Sequence, residues 1–194
     1  MKSHLMGDLE TLGTKPGCVI LSIAAVPFNM PYDLEPFYRK ISVKSSTDAG
    51  LIIDPATVAW WAKQDSAVYN EATSGTEDIG IVLQDFAAYI ASMPTAPKIW
   101  GNGSDFDNPI LAAAFIAVGI PVPWSFRDNR CFRTLKSEFD FIPYTAPVTA
   151  HNALEDAKAQ AAHMQKIYHW LYSKGAMPKP ENVVTSGISG SLGG

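Results

Sequence analysis

The segment His4-Leu5-Met6-Gly7-Asp8-Leu9-Glu10-Thr11-Leu12, followed after Gly13-Thr14-Lys15-Pro16-Gly17 by Cys18 to Phe28 (CVILSIAAVPF), decides how the chain reads. Cys18 to Phe28 is apolar and rich in β-branched residues, as a buried strand is. His4 to Met6 leads straight into Asp8 as a second strand, and the Gly- and Pro-bearing turn between the two predicts an adjacent pair. Residues two apart on a strand share a face. Asp8 and Glu10 are therefore predicted to project side by side, flanked by Met6 and Leu12. Two neighbouring carboxylates raise each other's pKa unless a cation sits between them. Hard divalent ions such as Mg²⁺ or Mn²⁺ prefer an all-oxygen site of this kind.

Outward from this pair, Phe37 to Val43 alternates as a third strand does. Asp54-Pro55 predicts a helix start that carries Val58, Trp60 and Trp61, with Asp54 as cap and Pro55 in the first position. A longer amphipathic helix is expected from Glu77 to Ser92, with Ile79, Leu83, Phe86 and Ile90 on one face. Lys98 to Gly101 reads as a short strand, Asn108-Pro109 opens a helix through Val118, and the last helix runs from Asn152 to Ser173. Residues 175–194 are rich in Gly, Ser and Pro and read as a flexible tail behind one domain of residues 1–174. The order predicts an α/β fold, a mixed sheet flanked by helices.

The 194 residues suffice for one domain with a sizeable core, and 47% hydrophobic with 18% charged residues is ordinary for a globular protein. No apolar run is long enough for a membrane span, and the first ten residues lack a signal-peptide pattern, so a cytoplasmic protein is expected. Cys18 and Cys131 make neither a disulfide scaffold nor a zinc motif. A net charge of −4 argues against nonspecific coating of nucleic acid. It leaves room for an enzyme that grips one strand end through a local basic patch and metal ions.

Further acids recur in two places. Trp100-Gly101-Asn102-Gly103-Ser104-Asp105-Phe106-Asp107-Asn108-Pro109 runs from a strand through a Gly-rich loop into a helix. Asp107 stands at the helix entrance, where an ordinary N-terminal cap would also stand, and Asp105 is the competing acid. His151-Asn152-Ala153-Leu154-Glu155-Asp156 places a histidine ahead of the final helix and an acid in its first turns. Either acid there could simply favour the helix dipole. Each spacing is weak alone: chance supplies roughly 0.4 Asp-x-Glu triplets and roughly 0.25 His-x4-Asp spacings in a chain of this composition. A second triplet, Asp33-Leu34-Glu35, lies between Pro31 and Pro36 and reads as solvated loop charge.

Together, in this order, the three segments resemble the DEDDh exonuclease superfamily, which includes oligoribonuclease, RNase T and bacterial proofreading subunits. Asp8-Leu9-Glu10 matches the first motif, Asn102 with Phe106-Asp107 the second, and His151 with Asp156 the third. The second match favours Asp107 over Asp105. The resemblance covers residues 4 to 173 and is nearest to phage and prophage exonucleases and the related mycobacterial exoribonuclease. Asp54 to Trp61 and Arg127 to Cys131 are similar to segments of that branch. Gly7 departs from the bulky apolar residue usual before the first Asp, but removes no ligand.

The resemblance implies a ribonuclease-H-like fold with a five-stranded mixed sheet. It implies a 3′→5′ exonuclease that releases nucleoside 5′-monophosphates from single-stranded RNA or DNA. Asp8, Glu10, Asp107 and Asp156 would hold two divalent cations, Mg²⁺ or Mn²⁺. His151 would take the proton of the attacking water, since imidazole titrates near neutral pH. It also implies a homodimer. Arg127, Arg130, Arg133 and Lys136 are spaced by three and would form a stripe on a helix or a 3₁₀-like segment, either contacting phosphates or lying as a solvated charged face. Leu12 and Phe106 are placed to touch the terminal base, although Phe106 could equally be core. Trp60 and Trp61 read as core or interface anchors before base platforms. An endonuclease on the same fold, a catalytically silent nucleic-acid-binding module and a structural metal site are the competing readings.

Overall fold

The computed structural model describes residues 3–29, 34–149 and 151–177. Asp33 and most of the expected tail lie outside the described residues, while Glu35 is exposed. Strands β1 (His4–Thr11) and β2 (Ile20–Phe28) form the expected antiparallel pair, in register from His4 opposite Phe28 to Glu10 opposite Ser22. β3 (Phe37–Lys40) adds antiparallel to β2, β4 (Lys98–Gly101) parallel to β1, and β5 (Asn129–Cys131) parallel to β4. The order β3-β2-β1-β4-β5 makes a five-stranded mixed sheet with β1 in the middle.

The third strand is shorter than the alternation of Phe37 to Val43 predicts. Ser42 leaves the strand and caps a helix, α1 (Val43–Asp48), with its hydroxyl accepting from Ser45 N at 3.3 Å. The helix α2 (Pro55–Trp61) begins as expected, Asp54 accepting from Ala56 N at 2.9 Å. A further short helix, α3 (Ser66–Ala72), is capped by Asp65. The long amphipathic helix α4 (Ile79–Ala91) starts two residues later than expected, because Asp78 accepts from Gly80 N and Ile81 N as its cap. Three helices complete the fold: α5 (Asp107–Ala117), α6 (Phe132–Glu138) and α7 (Ala153–Ser173). No helix among the described residues is long and apolar enough to cross a membrane.

The sheet is covered on both faces by distinct apolar layers. Leu5 and Leu9 of β1 join Phe86 and Leu83 of α4 and Phe115 and Ile110 of α5 on one side. Met6 of β1, with Ala24, Val26 and Phe28 of β2, packs against α7 and Phe132 of α6 on the other. The period-two alternation of β1 therefore sends Asp8 and Glu10 to the α7 side, in line with Met6. The α7 face that meets the sheet is small in its first half: Ala153, Ala157 and Ala161 are all buried. Small side chains let the helix approach the sheet closely, which brings its polar first turns within reach of β1.

Ala157→Leu tests that closeness. Overfilling a packed contact costs typically about 1–3 kcal/mol. The variant should show a correspondingly lower urea midpoint; an unchanged midpoint would mean that α7 is not tightly seated here.

Candidate active site

Asp8 and Glu10 look toward α7, and α7 presents Asp156 in its first turn. Asn152 caps the helix, accepting from Leu154 N at 3.1 Å and Glu155 N at 3.2 Å. One ligand atom each from Asp8, Glu10 and Asp156 lies within 4.8 Å of the others. Residues 148 positions apart in sequence thus meet in one half-buried cluster.

Asp107 arrives from the other side. It is the first residue of α5, whose cap position, Phe106, supplies no side-chain cap. Instead of capping its own helix, the buried Asp107 carboxylate reaches back to accept from Asn102 N at 2.7 Å and Leu9 N at 3.2 Å. That ties the β4–α5 loop to β1. Asp105, the competing acid, is exposed. Gly101 is required at the crossing: a Cβ there would stand 2.9 Å from both Cβ and Oδ2 of Asp107. Arg133 donates to Asn102 O at 2.7 Å and lies against Gly103, so its charge acts on Asp107.

His151 takes a left-handed backbone conformation, φ 60°, which costs a non-glycine residue about 1–3 kcal/mol. Its ring packs edge-on against Trp60 at 4.9 Å and Trp61 at 6.0 Å between centroids. Trp61 is buried and donates from Nε1 to Thr11 O at 2.9 Å, so this aromatic wall is rooted at the end of β1. Trp61 is core, as expected; Trp60 is 42% exposed and lines the cleft.

Burial is the largest influence on all four acids. It pushes Asp8 well above the usual carboxylate range, helped by the charges of Asp107 and Glu10 and opposed by a hydrogen bond from Gln160. Glu10 is pushed up to about 8 by burial and then by the charges of Asp156 and Asp107. Asp107 rises to about 6 through burial, held back by the backbone N–H groups of Asn102 and Leu9. Asp156 is raised by burial and pulled back by the Asn152 backbone and His151. The residues thus fit a cation: an all-oxygen donor set, desolvated and self-repelling, is stabilised by positive charge at its centre.

Asp8, Glu10, His151 and Asp156 line a cleft of about 590 Å³ together with Thr11, Gly13, Thr14, Asp54, Thr57, Trp60, Trp61 and Gln160, whereas the buried Asp107 is not part of its lining. Asn102 and Phe106 also line it. Leu12 does not; it is 4% exposed and belongs to the core on the opposite face of the sheet. The four basic residues do not share a helix. Arg127 falls in a 3₁₀ turn (Phe126–Asp128), Arg130 in β5, and Arg133 and Lys136 in α6. Parallel pairing sets Arg130 level with Trp100 and Met6, short of Asp8 along the sheet. Neither Arg127 nor Arg130 lines the cleft, whereas Arg133 touches the Asn102 loop at its rim. Gln160 was not legible as a site residue in the sequence, where the one available signal was that it falls one helical turn after Asp156; Trp60, read as a core or interface anchor before a base platform, lines the cleft.

The fold is that of the ribonuclease-H-like exonucleases. It matches a zinc-bound complex of E. coli exonuclease I with single-stranded DNA at a TM-score of 0.62 and 15% identity, over 89% of this chain and 43% of that one. It matches E. coli exonuclease I with a dT13 oligonucleotide at 0.59 and 16% identity, over 89% and 44%. A product-bound exonuclease I gives 0.58 and 15% identity, over 89% and 46%. This chain therefore spans less than half the length of those structures. No curated protein sequence matches the chain significantly. Residues 3–168 match the 3′-5′ exoribonuclease Rv2179c-like domain, and the chain belongs to that family.

Two outcomes follow from the geometry. Gly101→Ala should displace Asp107, lowering stability by about 1–3 kcal/mol in chemical denaturation; a variant as stable as the parent would show that the crossing has slack. The four acids bind protons more tightly in the folded than in the unfolded chain, so metal-free stability falls as pH rises through their raised values. For Glu10 that window runs from 4.5 to about 8. Melting curves in EDTA should drop across it, and Mn²⁺ should raise the Tm more at about pH 8 than at about pH 5. An equal effect of Mn²⁺ at both would argue against a shared cation.

Proposed function

We propose that the chain is a metal-dependent 3′→5′ exonuclease acting on the ends of single-stranded RNA or DNA and releasing nucleoside 5′-monophosphates. One observation carries this reading. The cleft is lined by Asp8, Glu10, Asp54 and Asp156, and no Lys or Arg is among the described residues that line it. Two like charges 4 Å apart repel by about 4 kcal/mol at an effective dielectric constant of 20. A phosphodiester would enter such a cleft only with cations beside it. The family match and the exonuclease I complexes favour that substrate over other anions.

Asp8, Glu10 and Asp156, with Asp107 behind them, would hold two Mg²⁺ or Mn²⁺ ions. Bound ions of this kind supply charge neutralisation at the scissile phosphate and a more acidic attacking water. His151, held against Trp60 and Trp61, takes the water's proton. Phe106 offers an aromatic edge in the cleft for the terminal base, and Asn102 a polar one. Arg133 at the rim is placed for a backbone phosphate. The family description names RNA, whereas the exonuclease I complexes hold DNA, so both polymers belong in the test. The free state of Cys18 and Cys131 is compatible with a reducing cytoplasm. A homodimer is part of this reading through the resemblance to the wider superfamily.

End-labelled single-stranded RNA and DNA, incubated with Mn²⁺, should yield mononucleotides from the 3′ end, and EDTA should stop the reaction. Asp8→Ala should abolish hydrolysis, and His151→Ala should slow it about 10²–10⁴-fold. Internal fragments, or full turnover in Asp8→Ala, would defeat the proposal.

A further inference from the structure

Gln160 is a buried polar residue of the cleft to which the chemistry above gives no task. It lies one turn past Asp156 on α7 and is 2% exposed. Its Nε2 donates to Asp8 Oδ1 at 2.7 Å. Its Oε1 is buried with no hydrogen-bond partner, and the residue lines the cleft. An unpaired buried acceptor costs about 1–3 kcal/mol. The neighbours of Gln160 on this helix face are Ala157, Ala161 and Met164, where an apolar residue would incur no such cost.

The amide orientation has a chemical reason. A carboxylate that holds a cation is ionised and only accepts hydrogen bonds, so for a loaded site the NH₂ end must face Asp8 and the carbonyl end must turn elsewhere. The rotation of an Asp carboxylate about its last bond is otherwise soft. Ligand atoms of Glu10 and Asp156 lie within 4.8 Å of that of Asp8, so like charge crowds the carboxylate in the orientation it holds.

We propose that Gln160 is a positioning residue for the cation site. Its Nε2–H fixes the rotation of the Asp8 carboxylate and leaves the second oxygen for the cation shared with Glu10 and Asp156. Its Oε1 is an acceptor reserved for a polar hydrogen that enters with the loaded cleft. This inference rests on the metal-dependent reading given above.

The test uses the full chain with two apolar replacements of different shape, Gln160→Met and Gln160→Leu. Mn²⁺ binding is measured by titration calorimetry, the Mn²⁺ dependence of hydrolysis on a single-stranded oligonucleotide, and the Tm in EDTA. Both variants should keep a cooperative melting transition in EDTA, which separates loss of the Mn²⁺ site from loss of the fold. Both should bind Mn²⁺ about 10–100-fold more weakly, the range seen when a partner of a metal ligand is lost. Hydrolysis should then need correspondingly more Mn²⁺. Parental Mn²⁺ affinity in Gln160→Met would overturn the proposal, as would a loss confined to Gln160→Leu, which would assign the effect to shape. If the parent itself takes up no Mn²⁺, the metal-dependent reading falls and this inference with it. If the parent binds and Gln160→Met binds equally, only the role of Gln160 falls.

Discussion

Carboxylates repel, and in this chain they are held together where water is scarce. Asp8, Glu10 and Asp156 bring ligand atoms within 4.8 Å of one another, and Asp107 stands buried behind them. The raised pKa values of all four record the cost of that arrangement. Such a cluster persists only because other contacts over-determine the positions of β1, α5 and α7. Its surplus negative charge makes a divalent cation the natural occupant, and an occupant of that kind is what a phosphodiester needs.

The two apolar layers divide this task. On one face Leu5 and Leu9 of β1 are locked against α4 and α5, which fixes the strand that bears the first two acids. On the other, the alanines of α7 allow the helix to lie near enough to the sheet for Asp156 and Gln160 to reach Asp8. The Asp107 carboxylate ties α5 and the β4–α5 loop to the central strand by accepting from backbone N–H groups on both β1 and that loop. It is a structural tie as well as a charge. That double role explains why it sits deeper than the other three.

The first strand pair, the fourth strand and the long final helix were legible because each carries a strong local pattern with clear punctuation. The short helices α1 and α3 were not. Six or seven residues give too little periodicity, and Ser42 and Asp65 announce their caps only once the chain is folded. The third strand was read too long for the same reason, since alternation in Phe37 to Val43 does not say where pairing stops. The four basic residues form no single stripe, because spacing by three on a helix or 3₁₀ segment requires one continuous element, whereas a 3₁₀ turn, a strand and a helix share those residues. Leu12 was expected at the cleft, but the bulge between Glu10 and Thr11 breaks the alternation that would have put it there.

By itself the sequence determined which residue types were available and in what order: an Asp-x-Glu on a strand, an Asp at a helix entrance, and a His ahead of an Asp-bearing helix. Periodicity of two also settled that Asp8 and Glu10 share a face. Only the tertiary structure decided which face that was, and that α7 covers it. It buried Asp107, which the second motif already favoured over the exposed Asp105, and it alone set His151 against two tryptophans and brought Gln160 to Asp8. Local pattern reports the direction of a side chain relative to its own backbone. Which distant groups it meets depends on how helices and sheet pack, and that packing is a property of the whole chain.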